Sequence, residues 1–124
     1  IADMLTRIRN AGLSRKAVVL IPWSNMKFHL AEILAQEGYI ALVEKLDKTP
    51  YFRIRLKYDS ERKAYIRSIQ RVSRPGKRVY ANNKALPKVL NGLGAAVIST
   101  SKGLMTNKKA KKESLGGEVI CEVY

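Results

Sequence analysis

A chain of 124 residues with 46% hydrophobic content can bury a core, but it has room for only one domain or two very small ones. Its 24 Lys+Arg against 10 Asp+Glu leave a formal charge of +14, with an isoelectric point near 10.2, a self-repulsion that a polyanion relieves. The apolar content excludes disorder, and the single cysteine, Cys121, excludes an internal disulfide and a multi-cysteine zinc site.

Nucleic acid is the expected polyanion, and an anionic membrane surface is its rival. No apolar run approaches the roughly 20 residues of a membrane span, and no charged leader precedes a cleavage site. The expectation is a soluble, cytoplasmic protein. Cys121, in the setting Val119-Ile120-Cys121, reads as a small buried hydrophobe.

In chain order, Asp3 can cap a first helix whose Met4, Leu5, Ile8 and Ala11 form one apolar stripe, with Arg7, Arg9 and Asn10 outward and Gly12 ending it. Ala17 to Ile21 reads as a buried strand stopped by Pro22. Ser24 is the N-cap of a second helix carrying Met26, Leu30, Ile33 and Leu34, and Gly38 follows its end. Tyr39 to Leu46 and Tyr51 to Tyr58 read as a hairpin around Asp47-Lys48-Thr49-Pro50. Phe52, Ile54, Leu56 and Tyr58 alternate with Arg53, Arg55 and Lys57, so one face is apolar and the other cationic.

The polar run Asp59 to Lys63 is the expected junction of two units, residues 1–59 and 60–124. In the second, residues 65 to 72 are expected as a strand, Ser73 to Gly76 as a turn, and Val79-Tyr80 as a short strand. A brief helix is expected around Lys84 to Leu90, then a core strand over Ala95 to Thr100. Met105 to Leu115 reads as a loop with a short basic helix, and Glu118 to Tyr124 as a final strand. The fold class is α+β: a helix-strand-helix-strand-strand unit, then a mainly β unit with short helices. The first unit holds 10 Lys+Arg and 6 Asp+Glu, the second 14 and 4, so the second is the expected RNA surface.

Ser99-Thr100-Ser101-Lys102-Gly103 is the most informative segment. Three hydroxyls at a strand end offer donors and acceptors to 2′-hydroxyls and base edges, Lys102 supplies a phosphate counter-charge, and Gly103 allows close approach. A solvated loop with hydroxyl-capped turns fits the same composition about equally well. Ser73 to Arg78 projects Arg74, Lys77 and Arg78 from a turn that can bridge phosphates, and Tyr80 beyond it suits either base stacking or the core. Lys108-Lys109-Ala110-Lys111-Lys112 reads as a generic electrostatic patch. His29 is the only histidine, the acids form no close pair and no phosphate loop is present, so neither an enzyme nor a metal or other cofactor is expected.

Four segments carry a resemblance: Ile1 to Asn10, Ser68 to Gly76, Ser99 to Thr106, and Gly116-Gly117-Glu118. Through them the chain closely resembles the family of bacterial small-subunit ribosomal protein eight over essentially its whole length. The resemblance implies a two-domain α+β protein that binds the central domain of small-subunit (16S-type) rRNA directly and supports assembly. It also implies that neighbouring small-subunit proteins, five and twelve among them, are partners, and that the chain is a monomer off the ribosome. In the family the second domain is the chief RNA grip, which makes Ser99 to Gly103 the contact loop, puts Tyr80 on its surface and has Glu118 position the loop by hydrogen bonding. Some members can also repress translation by binding their own operon mRNA. The initiator methionine and the few residues that precede Ile1 in the family are absent, as in a trimmed or partly ordered chain. Trp23 stands where the pattern has a small or polar residue, and Ala81-Asn82-Asn83 is less basic than its counterparts.

Overall fold

Helix formation at the start of the chain follows from the apolar stripe, and in the computed structural model, which describes residues 1–124, α1 spans Ala2–Leu13 with Met4, Leu5, Ile8 and Ala11 buried. Two expectations about its ends are corrected. The cap residue is Ile1, and Asp3 lies inside the first turn, where its carboxylate accepts from Arg7 Nε at 3.0 Å across one helical turn. Gly12 does not end the helix; a Cβ there would lie 3.3 Å from Ala64 Cβ, so its small size serves packing.

The rest of the first unit is a three-stranded antiparallel sheet with its helices. It contains β1 (Val18–Pro22), α2 (Asn25–Gln36), β2 (Ile40–Lys45) and β3 (Tyr51–Leu56), in sheet order β1-β3-β2. Ser24 caps α2, its hydroxyl accepting from Lys27 N at 3.4 Å. Val19 and Ile21 are buried but Leu20 between them is 47% exposed, so β1 alternates and is not the fully buried strand expected. Phe52, Ile54, Ile40, Leu30, Ala31 and Leu34 complete this core. The cationic face of β3 is offset by Glu44 on β2, whose carboxylate meets Arg53 at 2.6 Å and Arg55 at 3.1 Å.

The segment expected to join the units closes on itself. Asp59 Oδ1 accepts from the backbone of Glu61 and Lys63 at 2.8 and 2.9 Å, and its other oxygen meets Arg67 at 2.8 Å. The compact units are Ile1–Arg67 and Ser68–Tyr124. Of the strand expected over residues 65 to 72, only Ile69–Arg71 (β4) forms ladder pairs, opposite the end of the chain, while Tyr65 donates its N–H to Lys57 O.

The second unit continues with β5 (Tyr80–Ala81), β6 (Ala95–Thr100), β7 (Gly103–Thr106), α3 (Asn107–Lys112) and β8 (Gly117–Val123). The sheet order is β4-β8-β6-β7, with β5 also on β8. Ala96, Ile98, Met105, Val119 and Ala110 form its core with Val89.

The helix expected around Lys84 to Leu90 does not form. Asn82 Oδ1 accepts from both Lys84 N and Ala85 N at 3.0 Å, a side-chain turn that competes with helix. Pro87 cannot donate, and its carbonyl accepts from Asn107 Nδ2 at 2.8 Å. A single 3-10 turn, Leu90–Gly92, follows. Met105 and Thr106, expected within a loop, belong instead to the second strand of a tight hairpin, residues 103 to 106, after which Thr106 caps α3 by accepting from Lys109 N at 3.2 Å.

β8 enters the sheet through a gap too narrow for a side chain. A Cβ on Gly117 would lie 2.0 Å from Ser99 O, and one on Gly116 2.6 Å from Ala81 O. Gly117→Ala is expected to lower stability in urea unfolding by about 1–3 kcal/mol, the usual effect of overpacking. Gly76→Ala, where nothing lies within 4 Å, is expected to stay within about 0.5 kcal/mol of the parent.

Candidate nucleic-acid interface

At the end of β6 the chain must reverse within two residues, and the hydroxyls of Ser99 to Ser101 divide their work accordingly. Thr100 Oγ1 donates to Gly103 O at 2.8 Å and accepts from Lys102 N at 3.1 Å, so it builds the turn. Gly103 has φ +103°, a left-handed conformation that a side chain would strain. Ser101 and Lys102 stand exposed at the tip, and Ser99 is half-buried.

Strand register decides what lies beside Ser99. Along β6 and β8 the pairs Ala95–Val123 and Val97–Cys121 would continue regularly to Ser99–Val119, but a bulge shifts the ladder, so that Ile98 pairs Val119 and Ser99 pairs Glu118. Val119 thereby turns into the core and Glu118 comes onto the Ser99 face. Across β8, Glu118 pairs Tyr80. Tyr80, Glu118, Ser99 and Leu104 therefore form one cross-strand row on a single face, with Tyr80 and Ser99 about two strand spacings, ~10 Å, apart. Tyr80 is 70% exposed, which removes the core reading for its ring.

The Glu118 side chain ties this row to the Ser73–Arg78 turn. Ser73, buried, donates its hydroxyl to the carboxylate and accepts from Val79 N at 3.1 Å, while Arg71 Nε donates to Ser73 O. Arg74 and Lys77 exchange backbone hydrogen bonds at 3.0 and 2.9 Å around Pro75-Gly76, and both side chains project outward. Arg78 meets Glu118 at 3.1 Å, so part of its charge is used within the fold. The Glu118 hydrogen bonds thus reach the 73–78 turn, and its link to the 99–103 turn is through the β-ladder.

The structure leaves other candidates outside this row. Lys108, Lys109, Lys111 and Lys112 are exposed on α3, at the far end of β7 from the turn. Arg53 and Arg55 are paired with Glu44, and Lys57 sits 4.4 Å from the centre of the Tyr65 ring. His29 is exposed beside Glu32 at 3.3 Å, and burial pushes the Cys121 thiol up to about 12, far from a reactive thiolate at neutral pH.

All of residues 1–124 match the family described as Ribosomal protein S8. The chain belongs to that family. It is 55% identical to small ribosomal subunit protein uS8 of Caldicellulosiruptor bescii and 53% identical to that of Clostridioides difficile, each over 126 residues. It is 53% identical over 127 residues to small ribosomal subunit protein uS8c of Thalassiosira pseudonana. Each match covers the whole of this chain and 96% of the relative. Membership of the S8 family sets the chain among structural ribosomal proteins and not among enzymes.

In this S8-family chain, reading the sequence missed Ser73 as a working residue, although it opens the basic turn. A serine directly before Arg-Pro-Gly is a weak signal, because its partner lies 45 residues away. The hydrogen bond from Ser73, then those and the charge of Arg78, hold the Glu118 carboxyl below its ordinary value of 4.5, against the opposing effect of burial. A depressed carboxylate contributes stability that is fully present above the ordinary value and is lost as pH falls through the folded one. Glu118→Gln is therefore expected to be less stable by about 1–3 kcal/mol at pH 7. That gap should close below pH 4.5 in a series of urea titrations.

Proposed function

We propose that the chain is a constituent of the small ribosomal subunit in the cytoplasm, where its second unit binds the central domain of the subunit's rRNA and supports assembly. The carrying observation is the row Tyr80–Glu118–Ser99, flanked by one turn bearing Ser101 and Lys102 and another bearing Arg74 and Lys77. A-form RNA has a major groove too narrow for side chains, so recognition rests on shape, 2′-hydroxyls and unpaired bases. Lys102, Arg74 and Lys77 supply phosphate contacts that set position, Tyr80 offers a stacking face, and the hydroxyls of Ser99 and Ser101 read sugars or base edges. Thr100 and Gly103 hold the turn that presents them, and Glu118, an acceptor only, holds Arg78 and the second turn in place.

A surface that reads local shape and a few hydroxyls is open to any RNA with the same fold. A stretch of the chain's own operon mRNA imitating the ribosomal site is accordingly proposed as a second ligand, through which the protein represses translation. Small-subunit proteins five and twelve are its proposed protein neighbours.

Ser101→Ala and Tyr80→Ala are each expected to weaken binding to the rRNA central domain by about 1–3 kcal/mol in filter-binding titrations, with little change for unrelated RNA. Unchanged affinity for the ribosomal fragment in both variants would place the contact surface elsewhere. Lys109→Ala is expected to weaken all RNAs alike and to lower the salt slope by about one unit.

A further inference from the structure

At one end of the first unit's sheet, Pro22 closes β1, Lys45 closes β2 and Tyr51 opens β3, and between them lies a hollow of about 710 Å³. Its size is within the range of small-molecule sites, roughly 300–1,000 Å³. The backbone fixes its walls: Trp23 N donates to Pro50 O at 2.7 Å, and Tyr51 N donates to Thr49 Oγ1 at 3.4 Å. Trp23 is anchored from behind, its ring 4.9 Å from Phe28 and edge-on to Phe52 at 6.0 Å, yet it remains 39% exposed. Tyr51 is 40% exposed, and Lys45 Nζ lies 5.1 Å from the centre of the Trp23 ring.

Two rigid aromatics and two prolines around a hollow suit a flat apolar group, and the charge selects its kind. Lys45 is the only charged side chain in the lining, and the nearby Glu44 is committed to Arg53 and Arg55. The Lys45 ammonium now covers Trp23 as a cation over a ring, a contact it can exchange for a phosphate when a planar ring takes its place. A peptide with prolines would fill the same apolar walls but would leave the cation without a partner unless it also carried an acid.

We infer that this hollow is a second RNA site, which takes an unpaired nucleobase against Trp23 and Tyr51 with its phosphate on Lys45. The inference rests on RNA being the protein's partner, as in the reading above, but on none of the residues of the second unit's surface.

Trp23 is the only tryptophan, so its fluorescence in the intact chain reports on this site alone. Titration with hexa-adenylate, too short to form the structured ribosomal fragment, is expected to quench it saturably. Tyr51→Ala is expected to weaken that titration about tenfold, and Lys45→Met to weaken it and lower its salt slope by about 0.7. An unchanged far-ultraviolet circular-dichroism spectrum without RNA shows that each variant is folded. Ser101→Ala and Tyr80→Ala are expected to leave the midpoint within about twofold, even if they abolish binding of the ribosomal fragment. Absence of quenching, or quenching that both Tyr51→Ala and Lys45→Met leave unaltered, overturns the inference while leaving the second unit's surface standing. Response to a proline-rich acidic peptide but not to hexa-adenylate overturns it in favour of a protein occupant.

Discussion

The passage of β8 between β5 and β6 is the constraint on which the second unit depends. Only a residue without a side chain fits where Gly117 lies against the Ser99 carbonyl, and Gly116 meets the same limit against Ala81. With the strand admitted there, the bulge opposite Val97 and Ile98 turns Val119 inward and sets Glu118 between Tyr80 and Ser99. Glu118 then gathers Ser73 and Arg78, the two ends of one turn, and its ladder pairing with Ser99 sets that turn beside the end of β6. A hydrogen-bonded, partly buried carboxylate of this kind holds geometry more than it adds net stability, because its desolvation offsets much of the gain.

Charge balance separates the two units. In the first, acids are set against bases: Asp3 with Arg7, Glu44 with Arg53 and Arg55, Asp59 with Arg67. Such partly exposed pairs contribute little stability each, but they lower the local field. In the second, Glu118 with Arg78 is the ion pair, and the side chains of Arg74, Lys77, Lys102 and the α3 lysines face solvent. An accumulation of cations on one small unit repels itself, and binding a polyanion releases that repulsion together with the counterions of the nucleic acid. Exposed Tyr80 and the hydroxyl-bearing turn lie within this field, where a phosphate backbone held by the cations would bring sugars and bases to them.

Much of this was legible in the residues wherever local periodicity and burial agree. The Met4-Leu5-Ile8-Ala11 stripe, the Ser24 cap, the hairpin around Asp47 to Pro50 and the core strand from Ala95 all form as their patterns indicate. The illegible parts are those decided by distant partners. Lys84 to Leu90 has helical composition, but Asn82 and Asn107 capture its backbone groups. Residues 65 to 72 have strand composition, but only three of them find a ladder opposite β8. Gly12 resembles a helix stop because its partner, Ala64, is 52 residues away. For the site, Tyr80 and the Ser99–Gly103 segment were readable as pieces; their adjacency came only through the family resemblance, since it depends on a bulge that no local pattern marks.

Hydrogen exchange of the intact chain, with and without the rRNA central domain, tests the central claim most directly, because it reads contact by segment without altering a residue. Slowed exchange concentrated in residues 73–82, 99–106 and 116–118 is the predicted result. Slowing confined to residues 1–67, with those three segments unchanged, would contradict it.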